Sequence, residues 1–279
     1  MAAETKAATG GFVESADGTR LAYRAWPKPG AAVTFAVVHG LGEHAGRYER
    51  FAQAMAGRGM GTFAVDLRGH GNSPGPRGHV DGWSQWTDDA AAFVRLVETV
   101  AAGEVVPVGH SFGGAVILSA ALAGKLPKAR RFIVSSPALK LNVVAPRWKV
   151  SLGRVASKVA PKLAFDNEVD PRTISRIPEV VEAYRRDPLV HSRISSRTFN
   201  EWQAAARDIL TRAGEIQVPF LILAGTADAL IDPRGSRELH ERAAAMSRLH
   251  LLEGRYHEPF NDLGHEQVFD LIAAWLAGS

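Results

Sequence analysis

Residues 105–115 read VVPVGHSFGGA, an apolar run from Val105 to Val108 that passes through Gly109 and His110 to Ser111, with Gly113 and Gly114 close behind. Such a stretch has two readings. Glycine-rich junctions between strands and helices are common, and a serine in one often does no chemistry. Alternatively, the glycines permit a turn so tight that the hydroxyl stands at its apex. The flanks favour the second reading. Upstream is a strand-like run, and downstream Gly114-Ala115-Val116-Ile117-Leu118 suits a helix, the strand, turn and helix setting in which a G-x-S-x-G match gains meaning.

Further short apolar runs recur at Val33 to Val38, Gly61 to Val65, Phe132 to Val134, Phe220 to Leu223 and Leu249 to Leu252. Runs apolar at consecutive positions fit strands buried on both faces, as in a parallel sheet. Phe12 to Ser15 and Thr19 to Tyr23 flank Asp17-Gly18, which predicts a hairpin and an antiparallel edge. Between the runs lie helical spacings such as Trp86 to Ala101, with Phe93, Leu96, Val97 and Val100 on one face behind Asp88 and Asp89. Alternating strands and helices predict a doubly wound α/β sheet, whose ligands sit at the carboxyl ends of strands. From about Ala138 to Ile216 the alternation stops and the reading is helical, at Trp148 to Val159, Pro178 to Arg186 and Arg197 to Arg212. An insertion of that length reads as a cap, giving a core at 1–137 and 217–279 with a cap at 138–216.

The composition bounds the rest. The chain has 279 residues, 46% hydrophobic and 22% charged, a balance that supports a sizeable buried core. Its net charge is only +4, with no dense basic run, which argues against nucleic acid as a partner. Zero cysteines exclude disulfides, thiolate metal sites and a cysteine nucleophile. The opening MAAETKAATGG lacks the apolar stretch of roughly 7 to 15 residues that a secretory signal needs. No run of about 18 apolar residues follows, and the expected location is cytoplasmic, with peripheral contact to a membrane.

A serine hydroxyl is a weak nucleophile at neutral pH and needs a base that is itself oriented by an acid. In this architecture acid and base should follow in that order, each past a later strand. Asp228 stands just beyond the run at Phe220 to Leu223, and His257 just beyond Leu249 to Leu252. Asp232 is a rival acid, but it precedes Pro233 as a helix cap would. His250 falls within a strand, and His240 and His265 lie in helical contexts. Two N–H donors are needed for an oxyanion: the Phe112 amide directly after the serine, and the Leu41 amide between Gly40 and Gly42 after the third strand.

These residues resemble the α/β-hydrolases of the monoacylglycerol lipase and lysophospholipase group. HGLGEHAGRY at 39–48, DLRGHGNSPGPRG at 66–78, GHSFGGA, DPLV at 187–190, GTADALID and YHEPFND are similar to blocks of that group, in order. The resemblance implies a mostly parallel eight-stranded sheet with helices on both faces and a helical cap after the sixth strand. It implies a serine hydrolase with Ser111 as nucleophile, Asp228 and His257 completing the triad, Leu41 and Phe112 as oxyanion donors, and no metal or organic cofactor. Glu43 and Arg47 would shape the polar end of the site near a glycerol headgroup, or form a structural ion pair; His110 and Tyr184 stand with them as candidate substrate contacts. Phe112 departs from the methionine frequently found at that position.

The expected substrate is a monoacylglycerol or similar single-chain lipid ester. Lysophospholipase, general carboxylesterase and aminopeptidase activities stay open, as does a non-catalytic receptor that kept the triad. Trp148, Leu152, Val155 and Val159 share one side of a helix at about 100° per residue, while Lys149, Arg154 and Lys158 lie elsewhere around it. From Ala145 to Asn200 there are 11 Lys plus Arg against 6 Asp plus Glu, so the cap is also where a basic face could meet anionic lipid.

Overall fold

The computed structural model describes residues 8–142, 157, 159–167 and 169–278. In chain order the strands are β1 Thr9–Glu14, β2 Arg20–Trp26, β3 Val33–Val38, β4 Gly61–Val65, β5 Glu104–His110, β6 Phe132–Ser135, β7 Ala164–Asp166, β8 Arg193–Ser195, β9 Phe220–Gly225 and β10 Ser247–Leu252. The helices are α1 Glu49–Gly57, α2 Ser84–Val100, α3 Phe112–Leu122, α4 Pro178–Arg186, α5 Ser196–Arg212, α6 Pro233–Arg242 and α7 His265–Ala277.

Eight strands form one sheet in the order β1-β2-β4-β3-β5-β6-β9-β10. Only β2 runs against its neighbours; the remaining pairs are parallel. The apolar runs are continuous because successive side chains enter different cores. Phe35, Val37, Val106, Val108, Leu221 and Leu223 face Phe51 and Met55 of α1 and Phe269 and Ile272 of α7. Ala36, Val38, Val105, Val134, Phe220 and Ile222 face α2, α3, α5 and α6. The chain leaves β3 for β4 on one side and later places β5 on the other, so the switch point lies between the ends of β3 and β5.

Three local expectations change. Helix α2 starts at Ser84, so Asp88 and Asp89 are not in its first turn. Asp89 is fully buried, receives two hydrogen bonds from Arg68 and one from the Ser15 hydroxyl, and is a core ion pair rather than a dipole-stabilising surface acid. The inward stripe of that helix is Trp86, Ala90, Phe93, Val94 and Val97, and Val100 at its end is exposed. In the stretch read as wholly helical, β7 and β8 pair as a two-stranded antiparallel ribbon. Three-residue strands carry too few positions to show a period of two. Helices α4 and α5 fall where the spacing put them. The helix read at Trp148 to Val159 lies outside the described residues except for Ser157 and Val159. Among the described residues no helix is long and apolar enough to cross a membrane.

A Cβ on Gly113 would strike the carbonyl oxygens of Val38 and His39. Gly113→Ala is expected to lower stability by about 1–3 kcal/mol through overpacking. Thermal unfolding measures this, and a variant melting with the parent would show that β3 and α3 are less tightly packed than described.

Candidate active site

Strand β5 ends at His110, and Ser111 follows with φ 51° and ψ −115°, a left-handed backbone that costs a non-glycine residue about 1–3 kcal/mol. Hydrogen bonds on both sides hold it there. The Ser111 amide donates to Ser135 O at 2.8 Å, and its carbonyl accepts from Ala138 N at 2.9 Å and Gly114 N at 3.0 Å. Gly109 completes the turn because a Cβ there would run into the backbone of Gly113 and Gly114. The hydroxyl is thus set at the mouth of the sheet, at the start of α3.

The β9 and β10 ends bring the other two side chains to it. His257 Nδ1 lies 2.7 Å from Asp228 Oδ2, and its Nε2 lies 2.9 Å from Ser111 Oγ. Asp228 Oδ1 accepts from the amides of Leu230 and Ile231, each at 2.9 Å. A carboxylate held by two N–H donors accepts only, so Nδ1 carries the proton and Nε2 offers a lone pair to the Ser111 hydroxyl. Asp232 does not enter this group: it caps α6 through the Arg234 amide and pairs with that residue's guanidinium. His250 lies in β10, and His240 Nδ1 meets the Ser247 hydroxyl.

The protonation pattern follows from burial and neighbours. Burial alone pushes His257 down, but the Asp228 carboxylate, with Glu258 and Glu43 behind it, outweighs that and leaves the ring above its ordinary range. Burial likewise opposes ionisation of Asp228, and the imidazole with the Ile231 and Leu230 amides holds it below the usual carboxylate value. The His110 ring lies 5.0 Å from that of His257 at a tilt of 52°; burial, then repulsion by that ring, lowers it to about 4 and keeps it neutral.

The loop after β3 sits against the serine, since a Cβ on Gly40 would come 3.3 Å from Ser111 Cβ. His39 Nε2 accepts the Leu67 amide at 3.0 Å, which leaves Nδ1 as the N–H that donates to Gly40 O at 2.7 Å. Peptide planarity then sets the direction of the next N–H, that of Leu41, opposite to the held carbonyl. Among the described residues neither the Leu41 nor the Phe112 amide donates to a protein acceptor. The Phe112 ring points into the core, edge-on to Trp86 at 4.9 Å and Trp83 at 5.1 Å.

The remaining candidates are bound up with protein partners. Glu43 is buried, accepting from the Gly40 amide at 2.6 Å, from the Tyr48 hydroxyl at 2.9 Å and from Arg47 at 2.8 Å. Arg47 also makes a two-pronged contact with Glu258 at 2.7 and 2.8 Å. Burial works against the Glu43 charge, yet Arg47 carries it to about 2. The Tyr184 ring of α4 lies 4.7 Å from the Arg47 guanidinium carbon, and burial raises the Tyr184 hydroxyl to about 12. His110 is buried with its Nδ1 3.4 Å from the Ser135 hydroxyl. Sequence reading did not single out His39 or Glu258. The latter had one signal, its place directly after His257 in YHEPFND. Among the described residues no three His, Asp or Glu side chains converge as metal ligands would.

The sheet order and the strand-end placement of these groups define an α/β-hydrolase. Its particular family is that described as serine aminopeptidase S33 (Hydrolase_4), which matches residues 28–264, and the chain belongs to it. The chain is 31% identical over 268 residues to a monoacylglycerol lipase of Mycolicibacterium smegmatis, covering 93% of each. A crystal structure of Paleococcus ferrophilus monoacylglycerol lipase superposes with a TM-score of 0.81 at 31% identity, over 96% of this chain and 98% of that one. An uncharacterized abhydrolase domain-containing protein of Dictyostelium discoideum is 31% identical over 265 residues, and the chain spans 28% of its length.

In Asp228→Asn the charge that lifts His257 is gone while its burial remains, so the ring should titrate at lower pH than in the parent. NMR titration of the imidazole measures the direction; an unchanged or higher midpoint would mean that Asp228 does not set the His257 charge.

Proposed function

We propose that this chain hydrolyses the ester bond of monoacylglycerols to a fatty acid and glycerol through an acyl-enzyme. The observation that carries the reading is the unbroken path Asp228, His257, Ser111, with both ring nitrogens in hydrogen-bond range of their partners. Ser111 Oγ attacks the ester carbonyl as His257 Nε2 takes its proton, and the tetrahedral oxyanion is received by the Leu41 and Phe112 amides. Protonated His257 then gives the proton to the departing glycerol oxygen. Water enters, loses a proton to His257, attacks the acyl carbon, and releases the fatty acid with Ser111 restored. Asp228 keeps the ring in the Nδ1–H form throughout and stabilises its charge.

The choice of a lipid ester among the substrates open to this fold is supported by the monoacylglycerol lipases named above. We assign residues 138–216 to a cap over the core at 1–137 and 217–279. The cap presents Val159, Leu163 and Phe165 to solvent, with Lys162 beside them, a surface suited to peripheral contact with a lipid layer by a protein working in the cytoplasm. Several of its arginines are already paired, Arg172 with Asp170 and Arg176 with Asp262, so apolar insertion rather than net charge would carry that contact.

Ser111→Ala should lose about a millionfold in kcat on any ester the parent turns over. In a direct comparison the parent should prefer monoacylglycerol to diacylglycerol, lysophosphatidylcholine and an aminoacyl anilide; preference for one of the last three would replace the substrate, and Ser111-independent turnover the mechanism. Phe165→Ser with Leu163→Ser should reduce sedimentation with zwitterionic liposomes while leaving turnover of a short p-nitrophenyl ester unchanged. Equal sedimentation of parent and variant would remove these side chains from the lipid contact.

A further inference from the structure

The resemblance places Glu43 and Arg47 near the headgroup of the substrate, yet the hydrogen bonds of these two residues lead elsewhere. Glu43 Oε1 holds the Gly40 amide, one peptide before the Leu41 N–H, at 2.6 Å. Glu43 Oε2 meets Arg47 Nη1 at 2.8 Å, and the same guanidinium grips both oxygens of Glu258, whose backbone is continuous with that of His257. The Glu258 amide donates to Ile174 O at 2.9 Å, and Asn261 donates to Glu258 Oε2 at 2.9 Å, so this end of the chain of contacts is anchored too. All three side chains are more than nine-tenths buried. In that setting two ion pairs, one of them between residues 211 apart in sequence, tie the loop after β3 to the loop after β10.

We propose that Glu43, Arg47 and Glu258 are positioning residues that lock the oxyanion loop and the His257 loop into one register. The guanidinium suits the task because its planar fork makes a two-pronged contact with one carboxylate while a further N–H meets the second. An ammonium at the same place has no such fork. Tyr184 covers the guanidinium from α4 and limits its movement. The inference rests on the serine mechanism proposed above, and it differs from a headgroup role in one respect. Positioning acts on every ester, whereas headgroup contact acts only on esters that have a headgroup.

The experiment measures kcat and KM of Glu258→Gln, Glu43→Gln, Arg47→Lys and the double variant Glu43→Gln/Glu258→Gln on p-nitrophenyl butyrate and on a monoacylglycerol. Active site concentration is set in each case by titration with a fluorophosphonate, which corrects for any unfolded fraction. Ser111→Ala run alongside tests the mechanism itself, so its failure to abolish turnover is read separately. Each single variant is expected to lose between about tenfold and a hundredfold in kcat on both esters, with KM within about twofold. The double variant should lose little more than the worse single one, because either change opens the same link. Loss confined to the monoacylglycerol, or carried by KM, would overturn the proposal in favour of headgroup contact. Additive losses in the double variant would overturn it by showing two independent sites, and full activity in Glu258→Gln would overturn it outright.

Discussion

The carbonyl oxygens of Val38 and His39 lie against the Cα of Gly113 with no room for a side chain between them. That contact presses the first turn of α3 onto the end of β3. Everything at the site depends on the closeness it creates, because β3 and β5 are already paired in register, Val38 against Gly109. The two strands therefore bring Gly40 and Ser111 together from opposite sides of one switch point. The left-handed backbone of Ser111 is a local cost, offset by the ladder bond to Ser135 and the bonds its carbonyl accepts from Gly114 and Ala138.

Electrostatics at the site separate the histidines by their partners. His39, His70, His110 and His191 are all pushed down, burial being the leading cause in each case. His257 is equally inside the protein and is pushed up, because Asp228 sits 2.7 Å from its Nδ1. Burial alone thus makes an imidazole neutral and inert as a cation, whereas burial beside an anchored carboxylate makes one that stores a proton. Such storage is what a group must do if it takes a proton from serine and returns it to a leaving alcohol. The neutral neighbours matter for the same reason, since a charged His110 at 5.0 Å would repel the imidazolium form of His257.

How much of this was legible in the sequence can be traced residue by residue. Five of the six apolar runs were readable because both faces of a parallel sheet are covered, which makes strand residues apolar without alternation; the sixth, Leu249 to Leu252, lies in the edge strand β10 and is largely half-buried. The turn at Ser111 was readable because glycine answers a backbone requirement that no other residue meets. The places of Asp228 and His257 were readable because strand ends focus ligand chemistry at one edge of the sheet. The link from Gly40 through Glu43 and Arg47 to Glu258 was not, for its side chains are charged ones that look solvated until residues 211 apart in sequence have been brought together. Asp89 misled in the same way: a carboxylate near a helix start reads as a dipole partner, and only the approach of Arg68 from another loop shows it to be internal. His39 hid a further kind of information, since its role lies in which nitrogen is protonated, and that is decided by the backbone amide of Leu67.

The segment between β6 and β9 bears on the site through backbone as well as side chains. The His191 amide donates to Gly42 O at 2.8 Å, in the same loop as Leu41, and the Ser195 amide donates to Gly78 O at 3.0 Å. A Cβ on Gly42 would collide with His191 O, and one on Gly78 with Arg193 O, so both core loops have given up side chains to let this segment approach. Asp187 adds a contact from the end of α4 to His44 at 2.8 Å, and Tyr184 covers Arg47. Shifting α4 as a body would therefore break contacts to the loop after β3, and shifting β8 the bond to Gly78. An opening that spares the loop after β3 must hinge away from these contacts, which leaves α4 and β8 as part of the frame around the site.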